Sequence, residues 1–266
     1  MTIRELAEGV WFHLCLTLGR LLRAGRYSKV RIVDQDGELQ VRKLRMLYAP
    51  LLIRLGNLLA GILDTGVLVL PRREWEDRER LIYRGLYGTS VQVDGDGVLV
   101  LPCLHGETLA TLLEGPQLDE SGRSRTIQLT VGALVQFHDA GFTHGDAMAE
   151  NVMVDLEAGV AHWFDFETVH DSNRPMAWRR ADDVRALLAT CLLRTDVREL
   201  AGTLRLVLDV YADEEVTRLV AASFTAVLQR PLIFHLGQAG LSLQYFREIG
   251  RLLRERSGGQ AVGNPL

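Results

Sequence analysis

The residues with the most chemistry to offer are His144-Gly145-Asp146-Ala147-Met148-Ala149-Glu150-Asn151, followed downstream by Asp165-Phe166-Glu167. An acid, an amide a few residues on and a second acid beyond a short hairpin make up a metal-phosphate site. The chain between them supports this. Residues 152–155 and 160–164 are β-branched and aromatic runs, and residues 156–159 form a turn that ends in glycine. A hairpin centred on Ala158 pairs position 151 with position 165. Asn151 and Asp165 then sit side by side, two oxygen ligands for one small hard cation. Mg²⁺ accepts such sparse protein ligation and completes its octahedron with water and substrate phosphates. Asp146, one short loop earlier, lies within reach of a hydroxyl about to attack a γ-phosphate.

His-Gly-Asp, four residues, Asn and then Asp-Phe-Glu resembles the catalytic and metal loops of the protein-kinase-like superfamily. The His-Gly-Asp form is closer to bacterial lipopolysaccharide (Kdo) kinases, some atypical kinases and aminoglycoside phosphotransferases than to ordinary serine/threonine kinases. The resemblance implies Asp146 as catalytic base, Asn151 and Asp165 as holders of Mg²⁺, and ATP as the phosphoryl donor. It also implies an α+β, bilobal protein-kinase-like fold. Residues 1–104 would form the small antiparallel-sheet lobe and residues 105–266 the mainly helical large lobe.

The resemblance further implies a lysine on the third strand, a glutamate on the next helix and a hinge upstream of the catalytic loop. Residues 29–33, a turn at Asp36-Gly37 and residues 38–44 form a hairpin pattern. Val41 and Lys43 share a strand face because side chains alternate with period two, which puts Lys43 where the α- and β-phosphates would lie. Residues 74–86 give a helix with an incomplete apolar stripe of Trp75, Leu81, Ile82 and Leu86. There Glu79 fits the glutamate-x-x-aliphatic register of the small-lobe kinase helix and is the expected partner of Lys43, with Glu76 the runner-up. Another hairpin follows at residues 90–101, turning at Asp94-Gly95-Asp96-Gly97. Beyond it, residues 101–109 resemble the segment that joins kinase lobes. Pro102 has no N–H, so the donor to a nucleobase edge is Cys103 or Leu104. Residues 129–137 form an apolar helix ending near Gly141, which delivers the chain to Asp146. Further on, Asp183 fits the register of the aspartate that binds catalytic-loop N–H groups in kinases. A helix N-cap at Asp182 or Asp183 is an equally good reading of the same residues.

Three positions depart from the kinase pattern. The expected phosphate-covering loop, Gly25-Arg26-Tyr27-Ser28, has one glycine where backbone N–H groups would need several. Met148 stands where a lysine, histidine or other polar residue normally steadies the transferring phosphoryl group. Glu167 replaces the last glycine of Asp-Phe-Gly.

At 266 residues and net charge −4, the chain suits one domain of this kind and has no footprint for nucleic acid. Cys15, Cys103 and Cys191 are scattered and odd in number, as in a reducing compartment. No charged-then-apolar leader opens the sequence, so a cytoplasmic location is expected. Residues 3–24 have an amphipathic helical pattern, and residues 46–70 are very apolar but interrupted by Arg54, Asn57 and Asp64. The expectation is that these two segments pack on each other over the small sheet. Peripheral contact with the inner face of a membrane is the alternative. Residues 184–254 read as a helical bundle with a helix start at Pro231, and residues 257–266 as a frayed tail. The expected activity is phosphorylation of a hydroxyl on a small molecule or sugar-lipid. A serine/threonine protein kinase and a nucleotide-binding pseudokinase scaffold are the alternatives.

Overall fold

The computed structural model describes residues 27–35, 37–62, 64–95, 97–196, 198–224 and 243–256. The amphipathic pattern at residues 3–24, Gly25, Arg26, Pro231 and residues 257–266 lie outside this set. The architecture is α+β, small antiparallel sheets combined with helices.

Strands β1 (Ser28–Gln35) and β2 (Glu38–Arg45) form the first hairpin, with Val30 opposite Lys43. Gly37 closes it at φ +87°, a backbone state that glycine adopts without strain. Alternation along β2 then buries Lys43 and Arg45 and leaves Leu44 exposed between them. Helix α1 (Ala49–Ile62), strand β3 (Val67–Val69) and helix α2 (Arg72–Leu86) follow. Helix α2 starts at Arg72, ahead of the expected residue 74, and buries Trp75, Glu79, Ile82 and Tyr83. Those four share one helical face by spacing. Strands β4 (Gln92–Val93) and β5 (Val98–Pro102) complete a four-stranded sheet in the order β1-β2-β5-β4.

The chain continues through β6 (Glu107–Thr108), α3 (Leu109–Glu114) and α4 (Glu120–Asp139). Asp119 caps α4 by accepting from the Gly122 N–H at 2.7 Å. The apolar stretch at residues 129–137 is thus the second half of a longer helix. Ala140 caps that helix, and Gly141 leaves it at φ +86°. A 3₁₀ turn (Ala149–Asn151) leads into β7 (Val152–Asp155) and β8 (Val160–Trp163), which join β6 in a three-stranded sheet.

The register of this hairpin corrects the expectation. Val152 pairs with Trp163 and Asp155 with Val160, and the Phe164 N–H donates to Asn151 O at 3.0 Å. Position 151 therefore lies opposite 164, not 165. The cause is local. Asp155 Oδ1 accepts from the N–H groups of Glu157 (3.0 Å) and Ala158 (2.9 Å), and Gly159 turns at φ +68°. The loop is fixed at residues 156–159 and its centre falls ahead of Ala158.

Strand β9 (Thr168–His170) pairs with β3 in a separate two-stranded ladder. Helices α5 (Met176–Leu192), α6 (Leu200–Tyr211), α7 (Glu214–Ser223) and α8 (Leu243–Arg256) fill the remainder. Helix α5 is buried at every position from Ala181 to Leu192, so it runs through the middle of the core.

Candidate functional site

Strand β2 and helix α2 bring Lys43 and Glu79 together: Nζ to Oε1 is 3.1 Å, with Lys43 4% and Glu79 1% exposed. The Glu79 Oε1 atom also accepts from Trp75 Nε1 at 3.0 Å. Lys43 Nζ bonds the Asp165 carboxylate as well and lies 3.4 Å from Glu167 Oε1. Three carboxylates from two elements thus surround one ammonium. Burial alone would push the Lys43 pKa down, but Asp165, Glu167 and Glu79 outweigh it and raise it. Burial likewise opposes ionisation of Asp165, and Lys43 reverses the balance so that its carboxyl is held low. Burial lifts Glu167, with Asp165 adding to the rise while Lys43 and Arg45 pull against it.

Asp165 has φ +66°, a left-handed conformation that aspartate tolerates better than most side chains. This twist, rather than the hairpin register, turns Asp165 to Lys43. Asp165 remains 36% exposed on the wall of an open cavity. That cavity, ≈ 230 Å³, runs from Lys43, Glu79 and Asp165 along Val41, Leu101 and Met153 to Pro102, Cys103 and Leu104. The Cys103 N–H points to Leu39 O at 3.4 Å. Leu104 therefore supplies the rim N–H with no acceptor among the described residues, and Cys103 is a lining residue rather than the expected donor.

Asp146 and Asn151 do not line this cavity. They are bonded to each other one strand position away. Asn151 Nδ2 donates to Asp146 Oδ2 and to Asp146 O, both at 2.9 Å, which fixes the amide and leaves Oδ1 as its ligating atom. The Asn151 amide oxygen and the Asp165 carboxylate are hard oxygen donors of the kind Mg²⁺ takes, with phosphates and water supplying the rest. Among the described residues no three His, Cys, Asp or Glu side chains cluster closely enough to hold an ion by themselves.

The loop bearing Asp146 is held from below. Asp183 Oδ2 accepts from the His144 N–H at 2.6 Å and Oδ1 from the Gly145 N–H at 2.8 Å, and His138 Nε2 lies 3.0 Å from Oδ2. Both Asp182 and Asp183 sit in the middle of α5, which starts after Pro175, so the N-cap reading of these residues is overturned. Burial disfavours the Asp183 carboxylate, but His170 and His138 outweigh it and hold its pKa at about 2. His144 is fully buried between Phe137, Trp163 and Phe166. Its Nε2 bonds Phe164 O at 3.0 Å and its Nδ1 accepts from the Asp146 N–H at 3.3 Å, so one neutral tautomer serves both contacts. Gly145, at φ +81°, lets the loop pass Thr168 and Val169, where an added Cβ would meet atoms at 3.2 Å.

Several residues outside the expected set hold this arrangement. Arg45 bonds the Glu167 carboxylate, donates to Leu70 O at 2.5 Å and stacks over Trp75 at 4.8 Å. Ser28, in the expected phosphate loop, donates to Glu167 Oε2 at 3.0 Å. Arg78 donates to Thr143 O and ties α2 to the loop of Asp146. Arg45 shares the strand face of Lys43 by period two, a signal the sequence carried, whereas Glu167 shows in the sequence only as a missing glycine. Met148 is 4% exposed. No family model matches this chain, and no curated protein matches it.

Proposed function

We propose that the chain is an ATP- and Mg²⁺-dependent phosphotransferase of bilobal, protein-kinase-like form, with residues 1–104 as the small lobe and 105–266 as the large. One observation carries the reading: Lys43, Glu79 and Asp165 meet on the wall of an apolar cavity, while Asp146 and Asn151 are bonded together beside it. A nucleobase fits between Val41, Leu101 and Met153 with its edge at the Leu104 N–H, and Lys43 meets the α- and β-phosphates. Asn151 Oδ1 and Asp165 would hold Mg²⁺, which when bound neutralises phosphate charge and orients the γ-phosphoryl group. Asp146 takes the proton of the acceptor hydroxyl. The acceptor oxygen bonds the γ-phosphorus, and the bond to the bridging oxygen of ADP breaks.

A small-molecule or sugar-lipid acceptor suits this site better than a protein. Only residues 171–175 separate β9 from α5, too short a segment to hold an extended peptide. On α1, Leu51, Leu55, Leu58 and Ile62 are more than half exposed along one stripe, which favours work at the inner face of a membrane. Among the described residues no helix is long and apolar enough to cross one.

Release of ADP from ATP and Mg²⁺, with and without sugar and sugar-lipid acceptors, tests the activity. Asp146→Asn should lower it by at least ~10²-fold and leave nucleotide affinity nearly unchanged. Equal turnover in the two proteins removes Asp146 from the role. Met148, buried and apolar, favours one second reading, a nucleotide-binding scaffold without turnover. That reading gives thermal stabilisation by ATP and Mg²⁺, abolished by Asp165→Ala, with no ADP formed under any condition.

A further inference from the structure

Position 167 makes no backbone demand for glycine, because among the described residues the positive φ angles outside glycine belong to Asp64, Asp165 and Ala212. What distinguishes the position is the side chain it carries. The Glu167 carboxylate, 13% exposed, is held at one oxygen from two strands. Ser28, the first residue of β1, donates to Oε2 at 3.0 Å, and the Arg45 guanidinium on β2 bonds the same oxygen. Arg45 also donates to Ser28 Oγ at 3.2 Å, which closes a triangle. Arg45 is itself anchored by Leu70 O and the ring of Trp75.

The other oxygen is treated differently. Glu167 Oε1 faces Lys43 Nζ from 3.4 Å, longer than an ordinary hydrogen bond. The hydrogen bonds of Lys43 go to Glu79 and Asp165 instead. Glu167 thus stands beside the ammonium without closing on it. Released at Oε2, its carboxylate would turn onto Lys43. A charge-assisted bond in so dry a place competes with any arriving phosphate for the same ammonium.

We propose that Ser28 and Arg45 are positioning residues that hold Glu167 off Lys43 and so keep the ammonium open to the phosphates of a nucleotide. The identity of the ligand rests on the phosphotransfer reading. The restraint itself is a property of the triangle, and both residues act through Glu167.

Calorimetric titration of the full chain at pH 8, with ATP and Mg²⁺ and separately with adenosine, tests it. Ser28→Ala removes one hydroxyl and should melt close to wild type. It should weaken ATP binding roughly tenfold, the scale of one charge-assisted hydrogen bond, and leave adenosine binding within about twofold. Ser28→Thr, which keeps the hydroxyl, should bind ATP as wild type does. Adding Glu167→Gln to Ser28→Ala should restore most of the lost affinity, because a neutral amide does not compete for the ammonium. Unchanged ATP affinity in Ser28→Ala overturns the proposal, and so does an equal loss for adenosine. A loss that Glu167→Gln leaves in place overturns it too, and gives Ser28 a direct contact with phosphate instead. Wild-type protein that binds no ATP overturns the nucleotide reading itself, and the proposal with it.

Discussion

Lys43 is the residue on which the site turns, because it meets Glu79, Asp165 and Glu167 at close range, Arg45 sharing Glu167 with it. Breaking a buried ion pair by removing one partner is far worse than never having it, since the remaining charges stay desolvated. Lys43→Met should therefore destabilise the fold by about 3–5 kcal/mol at pH 7. The loss should shrink near pH 5, where the stranded carboxyls can take up protons. Urea unfolding of the variant and wild type at both pH values checks this. An equal loss at both would place the contribution in packing against Trp75, 5.2 Å from Nζ, instead of charge. At this scale much was legible in the sequence. Strand alternation put Lys43 on the same face as Val41, and the resemblance to kinase registers singled out Lys43, Glu79 and Asp183. Aspartate permits a positive φ without requiring it, so the sequence placed the Asp165 side chain from a hairpin centre that the structure moves. Glu167 was seen only as a departure, because its partners Arg45 and Ser28 lie on strands far away in sequence.

At the scale of elements, α1 acts on the site through one side chain. Asn57 Oδ1 accepts from the Val69 N–H at 2.8 Å and its Nδ2 donates to Val69 O at 2.9 Å, so α1 grips β3 as a further strand would. Strand β3 in turn pairs with β9, and the Leu70 N–H donates to Glu167 O at 2.8 Å. Asn57→Leu removes both bonds and strands two backbone groups, a loss of roughly 1–3 kcal/mol. It should also weaken ATP- and Mg²⁺-dependent thermal stabilisation, although residue 57 touches no ligand. Unchanged stabilisation would mean that the Asp165 loop holds itself. The outer face of α1 behaves differently. Leu51 is 72% exposed, so Leu51→Asp should leave stability within about 0.5 kcal/mol. The same change should release the protein from anionic vesicles in a sedimentation assay. Wild-type protein that never sediments with vesicles would direct the search to soluble acceptors. The apolar character of residues 46–70 was plain in the sequence; which leucines face outward was not, because apolar residues occupy both faces of the helix.

For the whole molecule, three buried groups shape the response to acid. Glu167, lifted by burial to about 7, takes up a proton in the fold first and so stabilises as pH falls, against His144. His144 is neutral in the fold, its pKa lowered by burial from 6.5 to about 4. A depressed histidine pKa means the unfolded chain binds the proton more readily, so stability falls as pH drops from about 6.5 to about 4, by on the order of 3 kcal/mol. Asp183 acts lower down. Its contribution is complete above its ordinary 3.8 and is lost as pH falls towards about 2. His144→Gln removes one of these opposed contributions, so the stability gap between wild type and variant, read from denaturant midpoints between pH 7 and pH 4, should narrow as pH falls. A gap that stays constant with pH would assign the acid sensitivity elsewhere. The order of hairpins and helices was readable from local patterns, and the α+β class was implied by the resemblance. The β3–β9 ladder was not, since three residues in each strand leave almost no periodicity to detect.

That ladder also governs the order in which the molecule assembles. Val67 leaves the ribosome long before its partner His170, and closing so long a loop against chain entropy makes it a late step in folding. A nascent chain can already pair β2 with β5 and hold Lys43 against Glu79, yet it lacks the strand that draws in Asp165 and Glu167. The cleft therefore gains its acidic wall last, and a chain stalled before residue 168 carries Asp165 and Glu167 without the strand that holds them against the lysine.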